Sequence, residues 1–305
     1  MMKNIFHVAG FFLLFSLPFS PVHAAERTLV HDGLERNYLI DKPQTASNAV
    51  KLPVIIMLHG GGGHGENGKR MSGFTDIAVP RGVIAVYPSG TNRFKRMRKL
   101  KTWNATHCCG YAMENNIDDV GFISALIDEL VARDNADPKR IYVTGISNGA
   151  MMAHQIGAKL SHKIAAIAPV VGGLFGDEPR PASPVPALII NGRLDRNVPL
   201  EGGLSEGRGA SAWDGTPVKP ATYQGTFWAA ANGCNNAVKE STLANGAVTQ
   251  IQYSCPAGQE VVHYIVNDGG HAWPGGEKGS RKGDEPSKSL DASTVMLDFF
   301  LRHSR

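Results

Sequence analysis

Five residues, Gly145-Ile146-Ser147-Asn148-Gly149, constrain this chain more than any other feature. The run before them, Arg140-Ile141-Tyr142-Val143-Thr144, reads as a strand. The stretch after them, Ala150-Met151-Met152-Ala153-His154-Gln155-Ile156, reads as a helix. A strand that turns into a helix across Gly-x-Ser-x-Gly holds its serine in a strained backbone conformation, hydroxyl exposed, at the carboxyl end of the strand. The flanking glycines let strand and helix pack closely around the turn. The context predicts a nucleophilic Ser147; an ordinary polar turn is the alternative.

The rest of the chain repeats the same alternation. Short apolar runs at Leu34 to Ile40, Val54 to Leu58, Val83 to Tyr87, Ile164 to Val171, Ala187 to Ile190 and Val261 to Val266 read as strands. Between Asp118 and Arg133 the period becomes helical: Val120, Ile123, Ile127 and Leu130 share a face, and Asp118 or Asp119 can cap the start. Asp291 to Leu301 reads as a closing amphipathic helix. Short strands alternating with helices predict an α/β fold with a mostly parallel central sheet covered by helices on both faces. Catalytic groups in such sheets gather at the carboxyl ends of the strands. Two long Gly-rich loops, about Glu201 to Pro220 and Gly269 to Pro286, each follow a candidate catalytic residue and are expected to form the rim of a site.

A serine hydroxyl needs a base within hydrogen-bond reach, and the base needs an orienting acid. On a strand-to-helix turn of this kind the chain order is serine, acid, histidine. Asp195 is the acid candidate, on the loop after the strand Pro186 to Ile190; Asp177 and Asp214 are weaker rivals. His271, in Asp268-Gly269-Gly270-His271-Ala272-Trp273-Pro274, is the base candidate. His154 and His162 are expected to point away from the acid strand. The oxyanion of an acyl transfer needs preorganised N–H donors. Asn148, next to the nucleophile, should supply one. Gly61 should supply the other from His59-Gly60-Gly61-Gly62-Gly63, with Gly62 as second choice and His59 as a structural brace. A phosphate loop is excluded there because no Gly-Lys-Ser/Thr opens a helix.

The start of the chain has the pattern of a secretory leader. Lys3 is followed by an apolar run from Val8 to Leu17 and by Val22-His23-Ala24, which predicts cleavage after Ala24 and a catalytic domain over residues 25–305. An uncleaved membrane anchor is the alternative, but the run is short for a span. No later segment is long and apolar enough to cross a bilayer. Loss of the leader removes Lys3 and no acid, which takes the formal charge from +4 to +3, too little to imply a nucleic-acid partner. One stretch departs from that balance: Arg93-Phe94-Lys95-Arg96-Met97-Arg98-Lys99-Leu100-Lys101 carries six basic residues and no acid. It reads as a solvated loop or as an attractor of anionic ligands. Four cysteines in an exported chain favour disulfides. Cys234 and Cys255 share one late stretch and are the favoured pair; Cys108 and Cys109 then form a vicinal bridge or stay reduced. No second Cys pair or paired-His spacing accompanies them, so no zinc site is expected.

The motifs together resemble the secreted polyhydroxybutyrate depolymerase and feruloyl esterase group of the α/β hydrolases. The likeness rests on Leu58-His59-Gly60, Tyr87-Pro88, Trp103 with Cys108-Cys109-Gly110, Asp118-Asp119-Val120-Gly121-Phe122, the Ser147 motif, Trp228 with Asn232-Gly233-Cys234, and Gly270-His271-Ala272-Trp273-Pro274-Gly275. It implies a single α/β-hydrolase domain, no metal or other cofactor, ester hydrolysis, and Ser147, Asp195 and His271 as the triad. The all-glycine loop after His59 departs from relatives that carry a Cys-Thr pair there. Trp103 and Trp273 are candidates for the substrate pocket, where a flat ring would suit a hydroxycinnamoyl group or an aliphatic hydroxyacid; packing at the rim is the alternative. With no polymer-binding domain following Arg305, soluble esters or short oligomers are expected ahead of crystalline polymer. The partner is then an ester substrate, with no nucleic acid and no stable membrane insertion. A feruloyl or acetyl-xylan esterase is the nearest rival reading. A non-catalytic exported binding protein on the same fold is a rival of another class, and a peptidase is a third.

Overall fold

A computed structural model describes residues 22–44, 50–94, 99–207, 209–235 and 237–305. Residues 1–21, most of the predicted leader over residues 1–24, and the middle of the basic stretch, residues 95–98, lie outside the described residues. Ten strands form one sheet: β1 (Val22–His31), β2 (Leu34–Pro43), β3 (Leu52–Leu58), β4 (Ile84–Pro88), β5 (Ala136–Ile146), β6 (Ala166–Val170), β7 (Ala187–Gly192), β8 (Val238–Leu243), β9 (Val248–Tyr253) and β10 (Val261–Val266). Their spatial order is β1-β2-β4-β3-β5-β6-β7-β10-β9-β8. The six strands from β4 to β10 run parallel, and an antiparallel pair closes each end.

The parallel strands are apolar without alternation because both of their faces are covered. Every residue of β3, β4, β6, β7 and β10 is buried. Side chains still alternate between two cores, as the pleat requires. Val54, Ile56 and Leu58 of β3 meet one helix layer. That layer comprises α4 (Asp119–Arg133), α5 (Asn148–Lys159) and α6 (Ala221–Ala231). Ile55 and Met57 face the other, with α2 (Phe74–Ala78) and α7 (Ala292–Phe300). Two more helices, α1 (Gly65–Ser72) and α3 (Gly110–Glu114), follow β3 and precede α4. Of the two candidates, Asp118 caps α4, accepting from Gly121 N–H at 2.8 Å; Asp291 caps α7, accepting from Thr294 N–H at 3.1 Å.

Helices α1, α2 and α3 were not read from the residue pattern, and neither were β1, β8, β9 and α6. β1 begins at Val22, so its first three residues overlap the predicted leader. β8 and β9 are an edge hairpin, and β8 is exposed along most of its length, so neither strand carries an apolar run. Helix α6 (ATYQGTFWAAA) has small or apolar residues on all sides and shows no polar face. The cysteines pair as Cys234–Cys255 and Cys108–Cys109. The first bond ties the residues after α6 to those after β9 and spans 21 positions, a loop whose closure contributes roughly 3 kcal/mol in the chain-entropy account.

A buried polar network lies under the carboxyl ends of the central strands. His154 of α5 accepts from Trp228 Nε1–H (2.9 Å) and donates to Gln224 Oε1 (2.9 Å). Gln224 donates to Asn191 Oδ1 (3.2 Å), which also receives His263 Nε2–H (2.9 Å). His154 therefore does not point away from the acid strand as expected: through Gln224 it is linked to Asn191 in β7. Burial lowers the pKa of His154 and of His263 to about 4, and that of His59 to about 3. An unfolded histidine titrates near 6.5, so between 6.5 and these values the unfolded chain binds more protons than the folded one. Their stabilising effect is complete above pH 6.5 and is lost as pH falls toward 4. Thermal unfolding followed by circular dichroism should show Tm about 10 °C or more lower at pH 4.5 than at pH 7. A flat Tm across that window would mean these rings are protonated in the folded state.

Candidate active site

The parallel core sets the geometry. β3, β5, β7 and β10 all end at the same edge of the sheet, so the segments that follow them converge there. Ser147 follows β5 directly, and its backbone is held at φ 57°, ψ −123°. Its N–H donates to Val170 O at 2.9 Å, and its carbonyl accepts from Ala150 and Met151 at the start of α5. A Cβ on Gly149 would lie 2.4 Å from Leu58 O and 2.5 Å from His59 O; one on Gly145 would lie 2.5 Å from Gly149 C. The two glycines of the motif thus let α5 approach β3 and hold the turn tight.

Asp195 lies on the loop after β7 and His271 on the loop after β10. These two loops are stitched together by Arg193 N–H to Val266 O (2.9 Å) and Leu194 N–H to Gly269 O (2.8 Å). The Asp195 side chain is almost wholly buried. Its Oδ1 accepts from the N–H groups of Asn197 (2.7 Å) and Val198 (2.9 Å), and its Oδ2 faces His271 Nδ1 at 2.7 Å. A carboxylate accepts only, so Nδ1 carries the proton and Nε2 is left with a free lone pair. The main chain of His271 is fixed separately, by its N–H to Asp284 Oδ2 at 2.7 Å. Ser147 and His271 both line one open cavity of about 1030 Å³. No hydrogen bond joins their side chains in this unliganded structure, a link that often tightens only around substrate.

The glycine loop after β3 forms another part of the cavity wall. His59 is fully buried; its Nε2 accepts from Gly90 N–H (3.0 Å), so Nδ1–H donates to Gly60 O (2.8 Å). Its carbonyl accepts from Trp103 Nε1–H at 2.9 Å. His59 is thus the brace of the loop. Gly62 N–H is engaged by Lys101 O (2.8 Å) and Gly63 N–H by Gly60 O (3.0 Å). The N–H groups of Gly61 and Asn148 have no hydrogen-bond partner among the described residues, and both residues line the cavity beside Ser147. Of the two glycines offered by the sequence, only Gly61 has a donor to spare.

The tryptophan expectation is corrected. Trp103 and Trp273 are both fully buried and neither lines the cavity. Trp103 exchanges hydrogen bonds with the Asn148 side chain through its own backbone (2.8 and 2.9 Å) and supports the His59 carbonyl. Trp273 packs edge-on against Phe74 and donates to Ser293 Oγ at 2.9 Å, which anchors the His271 loop to α7. The aromatic wall is instead Trp213, in the first Gly-rich loop, and Asp284 comes from the second. Both loops were legible as rim; Trp213 and Asp284 within them belonged to no motif. The two rival acids are elsewhere: Asp177 and Asp214 flank His107, at 2.9 and 2.7 Å from its two ring nitrogens. Burial opposes the charge on His107, but both carboxylates favour it, and its pKa is raised. Among the described residues no cluster of His, Cys, Asp and Glu could hold a metal ion, and no helix is long and apolar enough to cross a membrane.

The sequence model of the family described as Esterase PHB depolymerase matches residues 37–201, more than half of the chain, including Ser147 and Asp195. The chain belongs to this esterase family. It is 28% identical over 298 residues to NocK of Nocardia uniformis subsp. tsuyamanensis, provisionally named an esterase. That match covers 93% of this chain and 84% of the other. It is 29% identical over 251 residues to feruloyl esterase B of Piromyces equi, with 80% of this chain covered. The chain spans less than half of that relative, 44% of its length. In three dimensions it is similar to acetyl xylan esterase from Aspergillus awamori: TM-score 0.59, 15% identity, 90% of this chain and 98% of the other covered. The family fold is therefore the α/β-hydrolase fold that the motifs imply.

Proposed function

We propose that this family member is an exported serine esterase that cleaves carboxylic esters through an acyl-enzyme on Ser147, with hydroxybutyrate-type oligoesters as the substrate class. One observation carries the reading: a strained serine, an Asp195–His271 pair and two free N–H groups meet at one cavity. In the proposed cycle Ser147 Oγ attacks the ester carbonyl carbon while His271 Nε2 takes its proton. The N–H groups of Gly61 and Asn148 receive the developing oxyanion, a contribution of several kcal/mol in related chemistry. Asp195 keeps the ring in the Nδ1–H tautomer and stabilises the imidazolium. The imidazolium then protonates the departing alcohol, and water repeats the sequence to release the acid. The family description supports the substrate class. Export is supported by the leader-like start of the sequence and by two disulfides.

A second reading keeps the mechanism and replaces the substrate by a feruloyl or acetyl-xylan ester. Trp213 on the cavity wall favours it, because a flat ring can stack on a hydroxycinnamoyl group. Turnover of hydroxybutyrate oligomers, methyl ferulate and acetylated xylan by the mature protein tests the choice. The first reading expects kcat/KM on the oligomers to exceed that on methyl ferulate by about tenfold or more, and the reverse order would move the assignment to the cell-wall esters.

A further inference from the structure

The middle of the basic stretch, residues 95–98, lies outside the described residues, but its last three positions are held firmly. Leu100 N–H donates to Gly62 O (3.1 Å), Lys101 N–H donates to Gly63 O (3.2 Å), and Gly62 N–H donates to Lys101 O (2.8 Å). On the other side Asn92 Nδ2–H donates to Lys99 O at 2.6 Å. This short ladder fastens Lys99 to the same glycine loop that offers the Gly61 N–H. Lys99 lines the cavity with Ser147, and so does His64, the residue that ends the glycine loop.

The charges of this wall are unbalanced. All 27 acidic residues of the chain lie among the described residues, and none forms an ion pair with Lys99 or His64. Among the described residues, Arg70 pairs with Glu277 (2.8 Å) and Lys101 Nζ donates to Asn37 Oδ1 (3.3 Å). Glu66 is the one acid that favours charge on His64; burial and the charges of Lys99 and Lys101 oppose it, and the pKa of His64 is lowered. Asp284, the one acid among the residues that line the cavity, accepts from the His271 N–H. A solvated lysine needs no partner. Lys99 differs in being tied to the oxyanion loop, on the wall of a cavity with room for several monomer units.

We infer that Lys99, with His64 beside it, forms a subsite for the free carboxylate of a hydroxyacid oligoester whose ester group lies at Ser147. The inference rests on the esterase reading above and narrows its substrate. An oligomer of hydroxyacids ends in a carboxylate, and each cleavage makes another. Ferulate and acetate esters of neutral sugars carry none. An anion against the glycine-loop wall would complement Lys99.

The test is calorimetric titration of the Ser147→Ala protein, which leaves ligands intact, with a 3-hydroxybutyrate trimer and with its methyl ester. The free acid should bind about fivefold or more tightly at low ionic strength, and the difference should vanish at high salt. Lys99→Glu in the same background should reverse the preference, and Lys99→Arg should keep it. Equal binding of acid and methyl ester, binding of neither, or a preference that survives Lys99→Glu overturns the subsite. Competition by glucuronate at equal concentration would overturn the hydroxyacid assignment in favour of a glycan acid. The esterase reading is read separately, from turnover of the methyl ester by the unsubstituted protein.

Discussion

Substitution of Ser147 by alanine should lower kcat/KM on p-nitrophenyl acetate by about four to six orders of magnitude, with Tm unchanged within a few degrees. His271→Ala should cost nearly as much, and the double substitution little more than either alone, because the two groups act in a single step. Asp195→Asn should cost about 10⁴-fold. Asp195 Oδ1 would still accept from the Asn197 and Val198 N–H groups, but an amide nitrogen opposite His271 Nδ1 would reverse the tautomer. A fluorophosphonate probe should label the folded protein at Ser147 and leave Ser147→Ala unlabelled. Ester turnover above about one per cent of the parent level in Ser147→Ala, or cleavage by a protein that the probe does not mark at Ser147, would remove the nucleophile from the account.

The second large effect is structural. Gly149→Ala should destabilise the protein by about 3 kcal/mol, and by more if the strand cannot yield. The added Cβ would meet main-chain atoms, Leu58 O at 2.4 Å and His59 O at 2.5 Å, that have no rotamer to move into. Relief requires a shift of the segment from Leu58 to Gly61, which would carry the Gly61 N–H away from the oxyanion position. Activity should therefore fall further than stability explains. Gly61→Ala is the control: its Cβ would meet only Asn148 Cβ at 3.7 Å, ordinary contact, and stability should change by no more than about 1 kcal/mol. Urea titrations of the two variants read both effects. If Gly149→Ala unfolds at the parent's midpoint, the close crossing of α5 and β3 is wrong.

The parts of the site legible in the residues are those that local physics sets. Ser147, Asp195 and His271 were found by their positions just after apolar runs, and the structure brings the carboxylate and the imidazole within 2.7 Å. The six parallel strands were legible because burial on both faces writes an unbroken apolar run. The edge hairpin β8–β9 was not, since strands exposed to water carry polar residues. Nor was α6, since small residues on every side leave no period to read. The tryptophans failed for a related reason. A ring beside a motif has the same sequence signature whether it lines a pocket or fills a core.

What the sequence determined alone is the strand, turn and helix around Ser147, the placing of Ser147, Asp195 and His271 after strands, and the parallel character of the sheet. Each follows from backbone sterics or from the hydrophobic period, which act between residues close in the chain. What only the tertiary structure decided is which glycine has a free N–H, which aromatic ring reaches the cavity, and that Lys99 stands beside the oxyanion loop. Those depend on contacts such as Gly62 with Lys101, or Trp103 with Asn148, between residues tens of positions apart. Such pairings arise only after the strands have assembled, so no local pattern records them.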